Sequence, residues 1–83
     1  MSTLKVQCCG MLEQACGGFE RELEVPGFPL RVQEALAQFA TANPLAQEYL
    51  PFVACAIGDE IVVRNHSLQE GDTLVLLPPV SGG

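Results

Sequence analysis

Thr73-Leu74-Val75-Leu76-Leu77 places four aliphatic residues in a row, directly before Pro78-Pro79. An extended segment turns successive side chains to opposite faces, so this one offers apolar groups to both sides of a sheet. Its place is the middle of the sheet, with one face on a helix. Prolines donate no backbone hydrogen bonds, so the sheet stops after Leu77 and the chain leaves it extended.

The rest of the sequence supplies what covers such a strand. Leu4-Lys5-Val6-Gln7-Cys8 and Phe19-Glu20-Arg21-Glu22-Leu23-Glu24-Val25 alternate apolar and polar, the period of half-buried strands. Between them Met11-Leu12-Glu13-Gln14-Ala15-Cys16 has room for one or two helical turns, ended by Gly17-Gly18. Pro26, Gly27 and Pro29 stop the second strand. Over residues 31–42 the period changes: Val32, Ala35, Leu36 and Phe39 fall at i, i+3, i+4 and i+7, one apolar face of a helix. That helix has no Ser, Thr or Asp cap at its start, and Asn43-Pro44 is its stop. Residues 52–57 and 60–63 read as strands around a Gly58-Asp59 turn, and residues 64–72 as a loop.

The order β-β-α-β-β-β, with a doubly apolar last strand, predicts an α+β roll of the β-grasp, ubiquitin-like type. A mixed five-stranded sheet packs on one main helix, and the last strand lies beside the first. Eighty-three residues make one domain, expected over 1–77, with 78–83 as an extended flexible tail ending in Gly-Gly. At 48% hydrophobic and 17% charged, the chain is on the folded side of the disorder divide.

The net charge of −6, with four scattered basic residues, argues against nucleic acid as a partner, because phosphate binding needs clustered Lys and Arg. No apolar run reaches the length of a membrane span, and the first residues lack the apolar stretch of a signal peptide, so a cytoplasmic location is expected. Cys8 and Cys9 are adjacent, Cys16 and Cys55 are isolated, and no C-x-x-C occurs. This spacing fits neither a metal site nor a disulfide framework; the four are read as reduced thiols, some packed as small apolar side chains.

Beyond the prolines, Val80-Ser81-Gly82-Gly83 leaves the Gly83 carboxylate on the slenderest peptide available, able to enter a confined pocket of another protein. A carboxylate is a poor electrophile and needs activation, most simply as an acyl-adenylate. The chain has no P-loop G-x-x-x-x-G-K-[ST], so ATP would be held by a partner and no cofactor is expected to bind stably. Attack on the adenylate by a sulfur donor leaves a thiocarboxylate; attack by an amine leaves an amide.

With its Glu70-Gly71-Asp72-Thr73-Leu74 segment, short apolar strand and Pro78-Pro79-Val80-Ser81-Gly82-Gly83 ending, the chain resembles the small, sulfur-carrier subunit of molybdopterin synthase. The resemblance spans the whole chain and is sharpest over residues 68–83. It implies that Gly83 reacts, with Gly82 as its slender neighbour. An adenylyltransferase related to the ubiquitin-activating enzymes would adenylate the terminus. A sulfur donor such as a cysteine desulfurase or rhodanese would convert it to a thiocarboxylate. The synthase large subunit, in a heterotetramer, would then pass the sulfur to a cyclic pterin monophosphate. The chain would act as that transferase's small subunit, without a catalytic site of its own.

Leu76-Leu77 stands where family members often carry an aromatic residue, and Glu13-Gln14 where they often carry Arg-Glu. The acceptor therefore stays open: related carriers serve thiamine thiazole, cysteine or tRNA thiolation, and a protein modifier or a binding module with an inert tail are further alternatives. Leu74, Val75, Leu76, Leu77, Pro78, Pro79, Val80 and Ser81 are the expected partner-binding residues. One side of the last strand should pack on Val32, Leu36 and Phe39. The other should stay open as an apolar patch leading to the tail, met by a partner with a basic rim. A Cys55-His66 pair, a Glu20-Glu22-Glu24 acid-base set and a Gly17-Gly18 phosphate cradle are weaker readings than a loop histidine, a wet strand face and a helix stop.

Overall fold

The computed structural model describes residues 2–78. Its sheet is built from β1 (Ser2–Cys8), β2 (Glu20–Val25), β4 (Ala54–Ile57), β5 (Glu60–Val62) and β7 (Thr73–Leu77), in the order β2-β1-β7-β4-β5. β1 runs parallel to β7 and antiparallel to β2, and β4 is antiparallel to both β7 and β5, so the sheet is mixed. The strand that is apolar on both faces is thus the central one, beside the first strand. A short helix α1 (Leu12–Cys16) follows β1, and the long helix α2 (Val32–Ala42) crosses one face of the sheet. This is the β-grasp roll.

The core lies between α2 and that face. Leu4, Val6 and Cys8 of β1, Leu23 and Val25 of β2, Leu74 and Leu76 of β7 and Cys55 of β4 meet Val32, Ala35, Leu36 and Phe39 of α2, and all are buried. The helix begins without a Ser, Thr or Asp cap, as the sequence indicates, but the Glu34 carboxylate accepts a hydrogen bond from the Arg31 backbone N–H at 3.0 Å, tying down the first turn. At the other end Asn43 caps the helix through its backbone N–H and its side-chain amide, which donate to Phe39 O at 2.8 and 3.2 Å. Gly17, at φ 83°, ends α1 in the left-handed conformation that a Cβ disfavours, and Gly18 N–H closes the turn onto Glu13 O at 2.8 Å. The doublet is a helix stop.

Two stretches depart from the sequence reading. Residues 52–57 do not form one strand: Leu50–Phe52 is a 3-10 turn that follows a first such turn at Pro44–Ala46, and the strand begins at Ala54. The Arg64 guanidinium donates to Leu50 O at 2.6 Å and Val53 O at 3.3 Å, holding this turn from across the fold. Residues 64–72 are not wholly loop, because Ser67–Leu68 (β6) pairs antiparallel with Leu30–Arg31 (β3) in a two-stranded sheet that buries Leu30 and Leu68.

Candidate functional site

The expected docking surface begins at β7. In its parallel register with β1, Val6 stands beside Leu74 and Cys8 beside Leu76; in its antiparallel register with β4, Ile57 pairs with Leu74 and Cys55 with Leu76. Leu74 and Leu76 are accordingly core residues, sealed under α2. This corrects their assignment as partner-binding residues, because a buried side chain cannot reach another protein without unfolding. Val75 and Leu77 are partly exposed and share the opposite face, the one α2 leaves uncovered.

Register assembles the rest of that face. Ala54 pairs with Leu77, Ala56 with Val75, and Ile61 of β5 with Ala56. The result is a continuous aliphatic strip across β7, β4 and β5. Its outer part is open to solvent, with Ile61 63% and the following Val63 71% exposed. Ala54, Ala56, Ile61 and Val63 escaped the sequence reading, although Ile61 and Val63 share one parity and could have been paired with it. Across β1 and β2 the same face turns polar, carrying Thr3, Lys5, Gln7, Glu20, Glu22 and Glu24. There Lys5 Nζ approaches Glu20 Oε2 at 4.0 Å and Gln7 Nε2 donates to it at 3.3 Å. The three glutamates are exposed, the wet face of a strand rather than an acid-base set.

The chain leaves the sheet at the edge of the aliphatic strip. Cys9 N–H donates to Leu76 O at 3.1 Å, extending the β1–β7 pairing by one residue. Gly10 then turns away at φ 57°, and a Cβ on it would lie 3.4 Å from Pro78 Cγ. The β1–α1 turn therefore sits against the root of the tail. Pro78 is partly buried, whereas Pro79, Val80, Ser81, Gly82 and Gly83 lie outside the described residues.

No second chemical centre competes with this one among the described residues. Cys55 is buried while His66 is exposed on the far connection, its backbone carbonyl accepting Val32 N–H at 2.9 Å, so they form no dyad. Burial pushes the Cys55 thiol up, with Arg64 opposing. Burial, and then the hydrogen bond with Cys16, pushes the Cys8 thiol far above the ordinary range. Neither presents a thiolate at neutral pH. All four cysteines are free thiols, and Cys8, Cys16 and Cys55 are packed as small apolar residues. No group of three His, Cys, Asp or Glu that could hold a metal ion occurs among the described residues, and no helix among them is long and apolar enough to cross a membrane.

The ThiS family model matches residues 12–83. No curated protein sequence matches the chain. Among solved structures, SAMP1 from Haloferax volcanii is 22% identical over 99% of this chain and 100% of its own, with a TM-score of 0.84. A putative molybdopterin converting factor subunit 1 from Pyrococcus furiosus is 24% identical over 96% and 100%, with a TM-score of 0.81. A chain in the complex of subunits 1 and 2 of the molybdopterin-converting factor from Helicobacter pylori is 24% identical over 98% and 99%, with a TM-score of 0.66. At these identities the three structures establish a shared fold.

Proposed function

The chain belongs to the ThiS family, and on that premise we propose that it carries sulfur on the carboxyl group of Gly83. The observation behind this reading is the aliphatic strip across β7, β4 and β5, where Val75 and Leu77 are partly exposed and Ile61 is exposed around a buried Ala56, beside the root of the Gly-Gly tail. A protein that buries the strip receives the tail in the same act. An activating partner related to the ubiquitin-activating enzymes holds ATP and joins the Gly83 carboxylate to AMP, releasing pyrophosphate. A persulfide on a cysteine desulfurase or rhodanese attacks the acyl carbon, the C–S bond forming as the C–O bond to AMP breaks and AMP leaves. A partner thiol then attacks the donor's sulfur in the resulting acyl disulfide, forming a disulfide with it and releasing the Gly83 thiocarboxylate.

The acceptor we propose is a cyclic pterin monophosphate bound by a large synthase subunit, in the assembly that makes molybdopterin. Pro78-Pro79 before the Gly-Gly end favours this acceptor among those open to such carriers, and the Helicobacter pylori complex of subunits 1 and 2 supports a large-subunit partner. Nothing in the tail requires its own catalytic group. The glycines supply access, and the strip supplies orientation.

The test is the intact mass of the chain after incubation with ATP, an activating enzyme and a sulfur source. A gain matching one oxygen replaced by sulfur, followed by its loss on addition of the large subunit and pterin precursor, is the expected result. A ladder of amide-linked adducts in place of that gain would make the chain a protein modifier. An unchanged mass would refute both.

A further inference from the structure

We propose that the open edge of β2, with the groove between β2 and α2, is a second docking site that takes an extended, Lys- or Arg-bearing segment of a partner protein as an added antiparallel strand. β2 ends the sheet in the order β2-β1-β7-β4-β5, so one side of its backbone has no strand beside it. The register identifies which groups are open. Cys8 N–H donates to Phe19 O at 2.6 Å, and in an antiparallel pair the residues that exchange hydrogen bonds recur every second position. Arg21, Leu23 and Val25 therefore bond inward to Val6, Leu4 and Ser2, and the N–H and C=O groups of Glu20, Glu22 and Glu24 point out from the edge.

Charge and shape select the occupant. On the outer face three glutamates share one lysine: Lys5 stands opposite Glu22 in the register and pairs at 4.0 Å with Glu20, the only ion pair among the described residues, leaving Glu24 without one. Beside this edge, Glu22, Leu23 and Glu24 of β2 and Ala37, Gln38, Thr41 and Ala42 of α2 line an open groove of about 570 Å³. In an antiparallel addition the residue directly opposite a glutamate shares its face and exchanges both backbone hydrogen bonds with it. That residue is best a Lys or Arg, and its neighbours, turned toward the groove, are best small aliphatics. A second copy of this chain pairing β2 with β2 would set glutamate beside glutamate, which disfavours self-association through this edge. The edge lies at the opposite end of the sheet from β5 and Ile61, so a strand here leaves the aliphatic strip free.

The experiment is an NMR titration of the isotope-labelled full chain at low ionic strength with acetyl-Lys-Val-Lys-Val-Lys-Val-amide. Saturable shifts over residues 20–25 and 37–42, with slowed hydrogen exchange at the Glu22 and Glu24 amides, are expected. The probe N-methylated at its lysine amides should lose this binding, while the probe methylated at its valine amides, which face away from β2, should retain it. Glu22→Lys with Glu24→Lys should weaken the parent probe by about tenfold. Absence of saturable shifts, shifts centred on Val75 and Ile61, undiminished binding of the lysine-methylated probe, or equal binding of a glutamate-valine probe would each overturn the proposal.

Discussion

Ile61 offers the cleanest separation of folding from docking. It sits on β5, paired with Ala56, which is itself paired with Val75 beside the tail strand, and 63% of it is exposed. Fully burying an aliphatic side chain of this size is worth roughly 1.5–3 kcal/mol. About two thirds of that remains to be gained when a partner covers it, so Ile61→Ala should cost docking about 1–2 kcal/mol, a weakening of about 5- to 30-fold. The fold should lose no more than about 1 kcal/mol, because the residue is already mostly wet and its strand is short. The assay is the dependence of thiocarboxylate formation, and separately of sulfur transfer, on carrier concentration, with urea unfolding run in parallel. Leu45→Ala is the matched control, since Leu45 is 76% exposed but lies beyond α2, on the helix side of the sheet. If Ile61→Ala leaves both concentration dependences unchanged, or if Leu45→Ala shifts them equally, the strip does not guide docking.

Deleting Gly83 or adding one alanine after it should abolish the mass gain without lowering the unfolding midpoint, because the reacting acyl carbon is moved while the sheet is untouched; normal loading of either variant would refute the tail chemistry. Leu76→Ala, by contrast, should cost about 2–5 kcal/mol of stability in urea, since Leu76 is fully buried between Cys8 and Cys55 in the register. The raised Cys8 and Cys55 thiols have a pH signature: the native state holds their protons where the unfolded chain releases them, so stability should be level below the ordinary thiol value of 9.0 and fall as pH rises beyond it. Unfolding midpoints across that range check this slope, and replacing both residues by alanine should remove it.

The sequence by itself determined the five strands of the main sheet and the main helix, though not the short β3–β6 pair, and it placed the last strand at the centre. It could do so because each of these is a local statement about period: Val32, Ala35, Leu36 and Phe39 share a helix face whatever surrounds them, and Leu74 to Leu77 demand cover on two sides. The Gly-Gly ending was equally legible, being a matter of covalent structure. Tertiary structure alone decided which strand residues remain for a partner. Leu74, Val75, Leu76 and Leu77 look alike in sequence, and only the side on which α2 lies sends Leu74 and Leu76 inward and leaves Val75 and Leu77 outside. The same holds for the 3-10 turn at Leu50–Phe52, which reads as the start of a strand until Arg64, distant in the chain, donates to Leu50 and Val53. Glu34 likewise supplies a helix start that no short polar cap announces. The strip across β7, β4 and β5 and the open edge of β2 exist only once the registers are fixed, because adjacency between strands is set by non-local pairing that no local period encodes.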